Sequence, residues 1–240
     1  EMEKLHRSDN IEAMKRARDL LSKKVLDYVC NILKSHAFVD HTKEINSIYA
    51  LIPIIVFVFH KEWQKLAQEE ISKIVKRFYY SQIRVRYISQ LPQKLSKDLG
   101  IIKNSKNPFD DLLWVIKDER QLNIDENEFI GVGIQHPLFG LMKRYFKSKW
   151  AICLSTGLTL RKNMGKKYSL EWDHIFAYSI LKNNGYDMNN RHKYALAQEI
   201  TNRAILTQEW NRTKSNMDAD IYLSQVADQL PNSLKLQCIP

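Results

Sequence analysis

Residues 171–181 read EWDHIFAYSIL, an apolar, strand-like run broken by Asp173 and His174. Such a pair is either a polar turn or a carboxylate and an imidazole delivered to one place, and the flanking segments decide which. Upstream, WAICL (150–154) and KYSLEW (167–172) are short and rich in β-branched or aromatic residues. They are separated by the basic loop RKNMGKK (161–167), so both read as strands. Downstream, KNNGYDMNNR (182–191) reads as a polar loop, KYALAQE (193–199) as one or two helical turns, and NRAIL (202–206) as a further strand. TQEWNRTKS (207–215) is then a helix capped by Thr207, and DADIYLSQVADQL (218–230) is another. Strand, strand, helix is a layout in which the end of the first strand can face the start of the helix.

The rest of the chain has a different texture. Seven Gly and six Pro in 240 residues fit helices joined by short connections better than a turn-rich β-sandwich. Apolar residues recur at helical spacing from Ser8 to about Ser35. A more buried helix spans Ile45 to about His60, with Pro53 kinking or restarting it. The pattern continues over Trp63–Tyr80 and Gln82–Leu99, and Pro108 opens a helix through Ile116. Ile130–His136, with two glycines, reads as a turn and a seam between parts, and Pro137 starts one more helix. The fold class expected is mainly α with a small α+β part: a helical domain over residues 1–147 and an α+β domain over 148–240.

Charge narrows the function. The net charge is +10, and between Lys143 and Lys214 there are 14 Lys or Arg against five Asp or Glu, so nearly the whole excess lies around the Asp-His pair. An anionic partner follows. The longest apolar stretch, Ile48–Phe59, is too short to cross a bilayer and contains Pro53, so no membrane partner is expected. Three separated cysteines suggest neither a disulfide framework nor a zinc site, and point to a reducing cytoplasm. The start at Glu1, without a signal-peptide layout, suggests a fragment or a processed or trimmed chain.

The residue types assign chemistry. Asp173 offers a hard anionic oxygen and Asn211 a neutral one, both suited to Mg2+ or Mn2+. His174, with an ordinary pKa near neutrality, suits a general base acting on water. Asn202 fits a residue that holds the His174 loop by a side-chain hydrogen bond, the favoured reading, or one that touches substrate, and Lys166, Lys167, Arg203, Arg212 and Lys214 fit phosphate contacts. Trp114, Trp150, Trp172 and Trp210 read as core.

WDHIFxxSxL followed by TNRAILTQEWNRTKS resembles the His-Asn-His (HNH) nuclease pattern, in which a DH pair is followed by N-x-x-x-L-T-x-x-x-N-[RK]. The HNH domain of RNA-guided CRISPR nucleases has this arrangement. The chain is more closely similar to the C-terminal nuclease domain of GmrSD-type restriction endonucleases. Their members often show E-x-x-H-I-F-P-x-S-x-L, an N-x-x-x-L stretch, a second Asn and then D-P-x-x-Y-L, whose place DADIYL (218–223) takes here. The resemblance implies a ββα-metal fold over about residues 148–215, DNA, modified or not, as substrate, and Mg2+ or Mn2+ as cofactor. It implies Asp173 and Asn211 as metal ligands, His174 as base and Asn202 as support. Ala177 stands where the pattern has Pro, and the 37-residue step from His174 to Asn211 is longer than in compact HNH domains. The companion nucleotide-binding domain of such proteins, in the same or a separate chain, has no counterpart in these residues.

The function expected is a metal-dependent HNH endonuclease acting in a prokaryotic restriction or anti-phage system. The alternative is a non-catalytic nucleic-acid-binding or assembly module with an HNH-like fold, and a third reading gives the function to the helical part as an adaptor. Double-strand cutting by a single-site nuclease would require an oligomer.

Overall fold

The computed structural model describes residues 8–62, 64–160 and 170–240, and the chain divides into two compact units at Asn123/Ile124. The boundary expected at 147/148 falls instead at the end of a helix belonging to the second unit. Helices dominate, with a two-stranded antiparallel sheet as the only sheet among the described residues.

The first unit is helical. The amphipathic run from Ser8 is one helical course in three parts: α1 (Ser8–Leu20), a wider π-turn (Leu21–Val25) and α2 (Leu26–His36). The helix expected from Ile45 starts only at Ile52. Two short 3-10 turns, Thr42–Glu44 and Ile48–Leu51, precede α3 (Ile52–His60), and Pro53 sits in its first turn, where its missing N–H costs nothing. α4 (Gln68–Ile83) starts later than the pattern from Trp63 indicated, at a point where the Glu70 carboxylate accepts from the Ala67 N–H. The second half of that pattern is α5 (Leu91–Asn104), with Pro92 in its first turn; residues Val85 and Gln90, both at positive φ, break the chain between them. α6 (Pro108–Glu119) closes the unit, its first turn carrying Asp110 and Asp111 against the helix dipole. Val29, Ile32, Ile54, Val58, Ile74, Phe78, Leu112 and Ile116 make up its core, each at most 2% exposed. Within that core lies an ion cluster: Asp98 on α5 accepts from Arg77 of α4 and from Arg86, and all three are buried.

In the second unit the glycine segment is no seam. Gly131 N–H donates to the Glu199 carboxylate at 2.6 Å and Val132 C=O accepts from Ile200 N–H at 2.7 Å, which stitches it to the chain entering the second strand. α7 (Pro137–Ser148) follows, with the His136 imidazole accepting from Leu138 N–H at its start. WAICL is not a strand: among the described residues its pairing is the isolated bridge of Ile152 to Thr159, and Trp150 sits at a φ of 56°. β1 (Leu170–His174) pairs antiparallel with β2 (Arg203–Thr207) in the register Trp172↔Ile205, Asp173↔Ala204, His174↔Arg203. Between them run α8 (Tyr178–Asn183), in which the end of the run that reads as strand-like and the first two residues of the expected polar loop are helical, and α9 (Arg191–Ala197). β2 leads directly into α10 (Gln208–Lys214), capped by the Thr207 hydroxyl accepting from Trp210 N–H at 3.3 Å. α11 (Ala219–Gln229) and α12 (Ser233–Leu236) complete the chain.

Alternation gives the ribbon two faces. Ala204 and Leu206 pack with Tyr222, Val226 and Trp210 on one side, and Ile205, Leu170 and Trp172 pack with Phe146 and Ala151 on the other. Trp172 meets Phe146 in a near-parallel stack at 5.9 Å and Phe139 edge-on at 4.8 Å. Trp114 and Trp150 are not core; they are 65% and 57% exposed. No helix among the described residues is long and apolar enough to cross a membrane.

Candidate functional site

Period-two alternation puts Glu171 and Asp173 on the same face of β1, and the i, i+3 spacing of Asn211 and Lys214 puts both on one face of α10. The helix crosses the strand so that these four meet pairwise. Asn211 Nδ2 donates to the Glu171 carboxylate at 2.9 Å, and Lys214 Nζ donates to Asp173 Oδ2 and, at 2.6 Å, to the His174 carbonyl. Lys214 is 2% exposed, and its ammonium lies over the Tyr222 ring at 5.4 Å. Its place is therefore inside the site, spent on Asp173, and not on a phosphate-binding rim. Breaking a buried pair leaves the other charge uncompensated at a cost of about 3–5 kcal/mol, less where one partner reaches water, as Asp173 does at 18%. Lys214→Met is accordingly expected to destabilise the chain by about 2–3 kcal/mol in urea titrations. A loss below about 0.5 kcal/mol would show the pair to be incidental.

His174 ends β1 and belongs to the opposite face from Asp173, so the two straddle the end of the ribbon. Its Nε2 lies 3.3 Å from Gln198 Oε1, its Nδ1 lies 3.3 Å from an Arg203 N–H, and its ring stacks on Tyr178 at 5.8 Å. Burial and the Arg203 guanidinium hold its pKa below the ordinary imidazole value, against the opposing pull of Gln198 and Asp173. Asn202 fixes the turn that follows. Its carboxamide oxygen accepts from Phe176 N–H at 2.9 Å, its Nδ2 donates to Ala197 C=O at 3.0 Å, and its carbonyl accepts from Ile175 N–H. Ala177, in place of the pattern's Pro, already holds a φ of −53°, within the range a proline ring imposes.

The donors suit a hard divalent cation in kind. With Nδ2 of Asn211 committed to Glu171, its Oδ1 is left as the acceptor, and Asp173 adds a carboxylate. Two protein oxygens are an ordinary complement for Mg2+, which keeps several waters. Among the described residues no three His, Cys, Asp or Glu side chains gather as a fuller ligand set. An ion bound here would share Asp173 with the Lys214 ammonium.

Of the remaining candidates, Arg212 is exposed on α10, while Arg203 is half-buried and engaged with His174, Gln198 and the Trp172 carbonyl. Lys166 and Lys167 lie outside the described residues. Two residues at the site received no role from the sequence, although Glu171 is the Glu of the E-x-x-H-I-F segment. Glu171 was within reach, since it stands two positions before Asp173 and must share its face; Gln198 gave no signal, because nothing in its spacing links it to His174. No family model matches the chain, and neither a curated protein nor a solved structure matches it, so its function rests on its own residues.

Proposed function

We propose that the chain is a metal-dependent HNH-type endonuclease that hydrolyses DNA phosphodiester bonds as the effector part of a prokaryotic restriction or anti-phage system. The observation that carries this reading is the placement of Asp173 and His174 at the end of one antiparallel ribbon and of Asn211 on the helix that follows it, each held by a partner of its own: Lys214, Gln198 and Glu171. A bound Mg2+ or Mn2+ would polarise the scissile phosphate and offset charge on the leaving oxygen. The chain's own residues do the rest. His174, kept neutral by its surroundings, takes a proton from the attacking water. Asn202 keeps the following turn from drifting, and exposed Arg212 draws the DNA backbone toward the site. The test is cleavage of plasmid DNA with and without Mg2+ or Mn2+, comparing the parent with His174→Ala. A parent that never cuts in the presence of either ion ends the nuclease reading.

One observation favours the second reading, a non-catalytic nucleic-acid-binding or assembly module. The charge of Asp173 is already met inside the fold by Lys214. That module would bind DNA in a salt-sensitive way and show no metal-dependent cutting.

A further inference from the structure

The hydrogen bonds around His174 admit one arrangement of protons. Arginine can only donate, so the Gln198 atom that meets Arg203 Nη2 at 2.8 Å is the amide oxygen, Oε1. The same oxygen lies 3.3 Å from His174 Nε2, and it can only accept, so Nε2 carries a hydrogen. Arg203 Nη1 lies 3.3 Å from Nδ1, which must then present its lone pair. Turning the Gln198 amide over would set an NH2 group against an arginine donor. The backbone that carries Gln198 is fixed as well: its N–H donates to Tyr194 C=O, and the next two residues are tied to Gly131 and Val132. Arg203 is the register partner of His174 on β2, so the clamp is built into the strand pairing.

We propose that Gln198 is a positioning residue that, together with Arg203, fixes His174 as the Nε2–H tautomer and so makes Nδ1 the atom that takes the proton from water. The chemical meaning rests on the hydrolytic reading above; the tautomer does not. Arg203 also covers Nδ1, and it exchanges that neutral acceptor for a phosphate oxygen when substrate arrives, because hydrogen bonds to an anion are roughly twice as strong. Phosphate binding thereby uncovers the base.

The experiment uses the full chain labelled with 15N-histidine, recording long-range 1H–15N correlations at about pH 8, above the ordinary imidazole range. The His174 signals are identified by their loss in His174→Gln. A donor-type shift at Nε2 with an acceptor-type shift at Nδ1 is expected, retained in Gln198→Glu and replaced by mixed tautomers in Gln198→Ala. A parent with the hydrogen on Nδ1, or a Gln198→Ala spectrum identical to the parent's, overturns the clamp. In cleavage assays Gln198→Ala should lose about tenfold to a hundredfold in kcat at unchanged KM, with Gln198→Glu recovering most of it. An undiminished kcat in Gln198→Ala overturns the positioning role. The expected tautomer in a chain that never cuts DNA supports the clamp and sinks only the nuclease reading.

Discussion

Asp98→Asn is expected to destabilise the chain by about 3–5 kcal/mol, the cost of stripping one partner from a buried ion cluster. The geometry makes this substitution severe. Asp98 is 0% exposed and accepts from Arg77 Nη2 at 3.0 Å, from Arg86 Nε at 2.9 Å and from the Tyr87 hydroxyl. Arg77 donates from its other terminal nitrogen, Nη1, to the Ala50 carbonyl, and Arg86 reaches Glu119 at 2.8 Å. One carboxylate thus joins α4, α5 and the turn between them, while the arginines extend the network to α6 and to the 3-10 turn before α3.

Burial alone would push Arg86 toward losing its proton, yet the bonds and charges of Asp98 and Glu119 hold its pKa above the ordinary value. Burial raises the Tyr87 hydroxyl to about 12, so it stays a donor to Asp98. An asparagine of the same shape supplies no charge, so Arg77 would lose the carboxylate it pairs with and Arg86 would keep only Glu119, which is itself partly exposed. Against a total stability of about 5–15 kcal/mol for a typical domain, this is a large fraction. Equilibrium urea unfolding followed by circular dichroism measures it. Asp118→Asn, at an exposed position on α6, serves as control and is expected within about 0.5 kcal/mol of the parent. If Asp98→Asn falls no further than the control, the cluster does not hold the unit together.

That cluster also marks where reading the sequence ends. Pro108, Pro137 and Thr207 could be placed because a helix start is a local event: a ring that fixes φ, or a hydroxyl facing an N–H three residues on. The strand–strand–helix order was legible for the same reason, since β1, β2 and α10 each carry their own pattern. Arg77, Arg86 and Asp98 look like surface residues in sequence, because burial of a charge is decided by partners 12 and 21 positions away. WAICL has the composition of a strand, but among the described residues its ladder pairing stops at the single Ile152–Thr159 bridge; strand propensity is expressed only where a pairing edge exists. Lys214 shows the same limit at the site. Basic charge near Asn211 suggested phosphate, whereas its i, i+3 relation to Asn211 turns it under the helix toward Asp173.

His174→Ala is expected to lower metal-dependent DNA cleavage by about 10²–10⁴-fold, the usual contribution of a positioned general base. The loss should be chemical and not structural. The variant keeps the backbone carbonyl that Lys214 bonds and the strand pairing with Arg203, and it forgoes the ring's contact with Tyr178 and its bonds to Gln198 and Arg203, so a stability change of about 1–2 kcal/mol is the most it should show. The pH profile separates a base from a bystander. A base must be unprotonated, and burial with the neighbouring Arg203 charge lowers the pKa of His174. The rate of the parent should therefore rise with pH through a midpoint below about 6.5 and stay level above it. The residual rate of the variant should lack that limb, with any remaining slope following hydroxide alone. Cutting at the parent's rate by the variant would remove His174 from the chemistry. A midpoint above about 6.5 would show that burial and the Arg203 charge do not set the protonation of His174 during turnover.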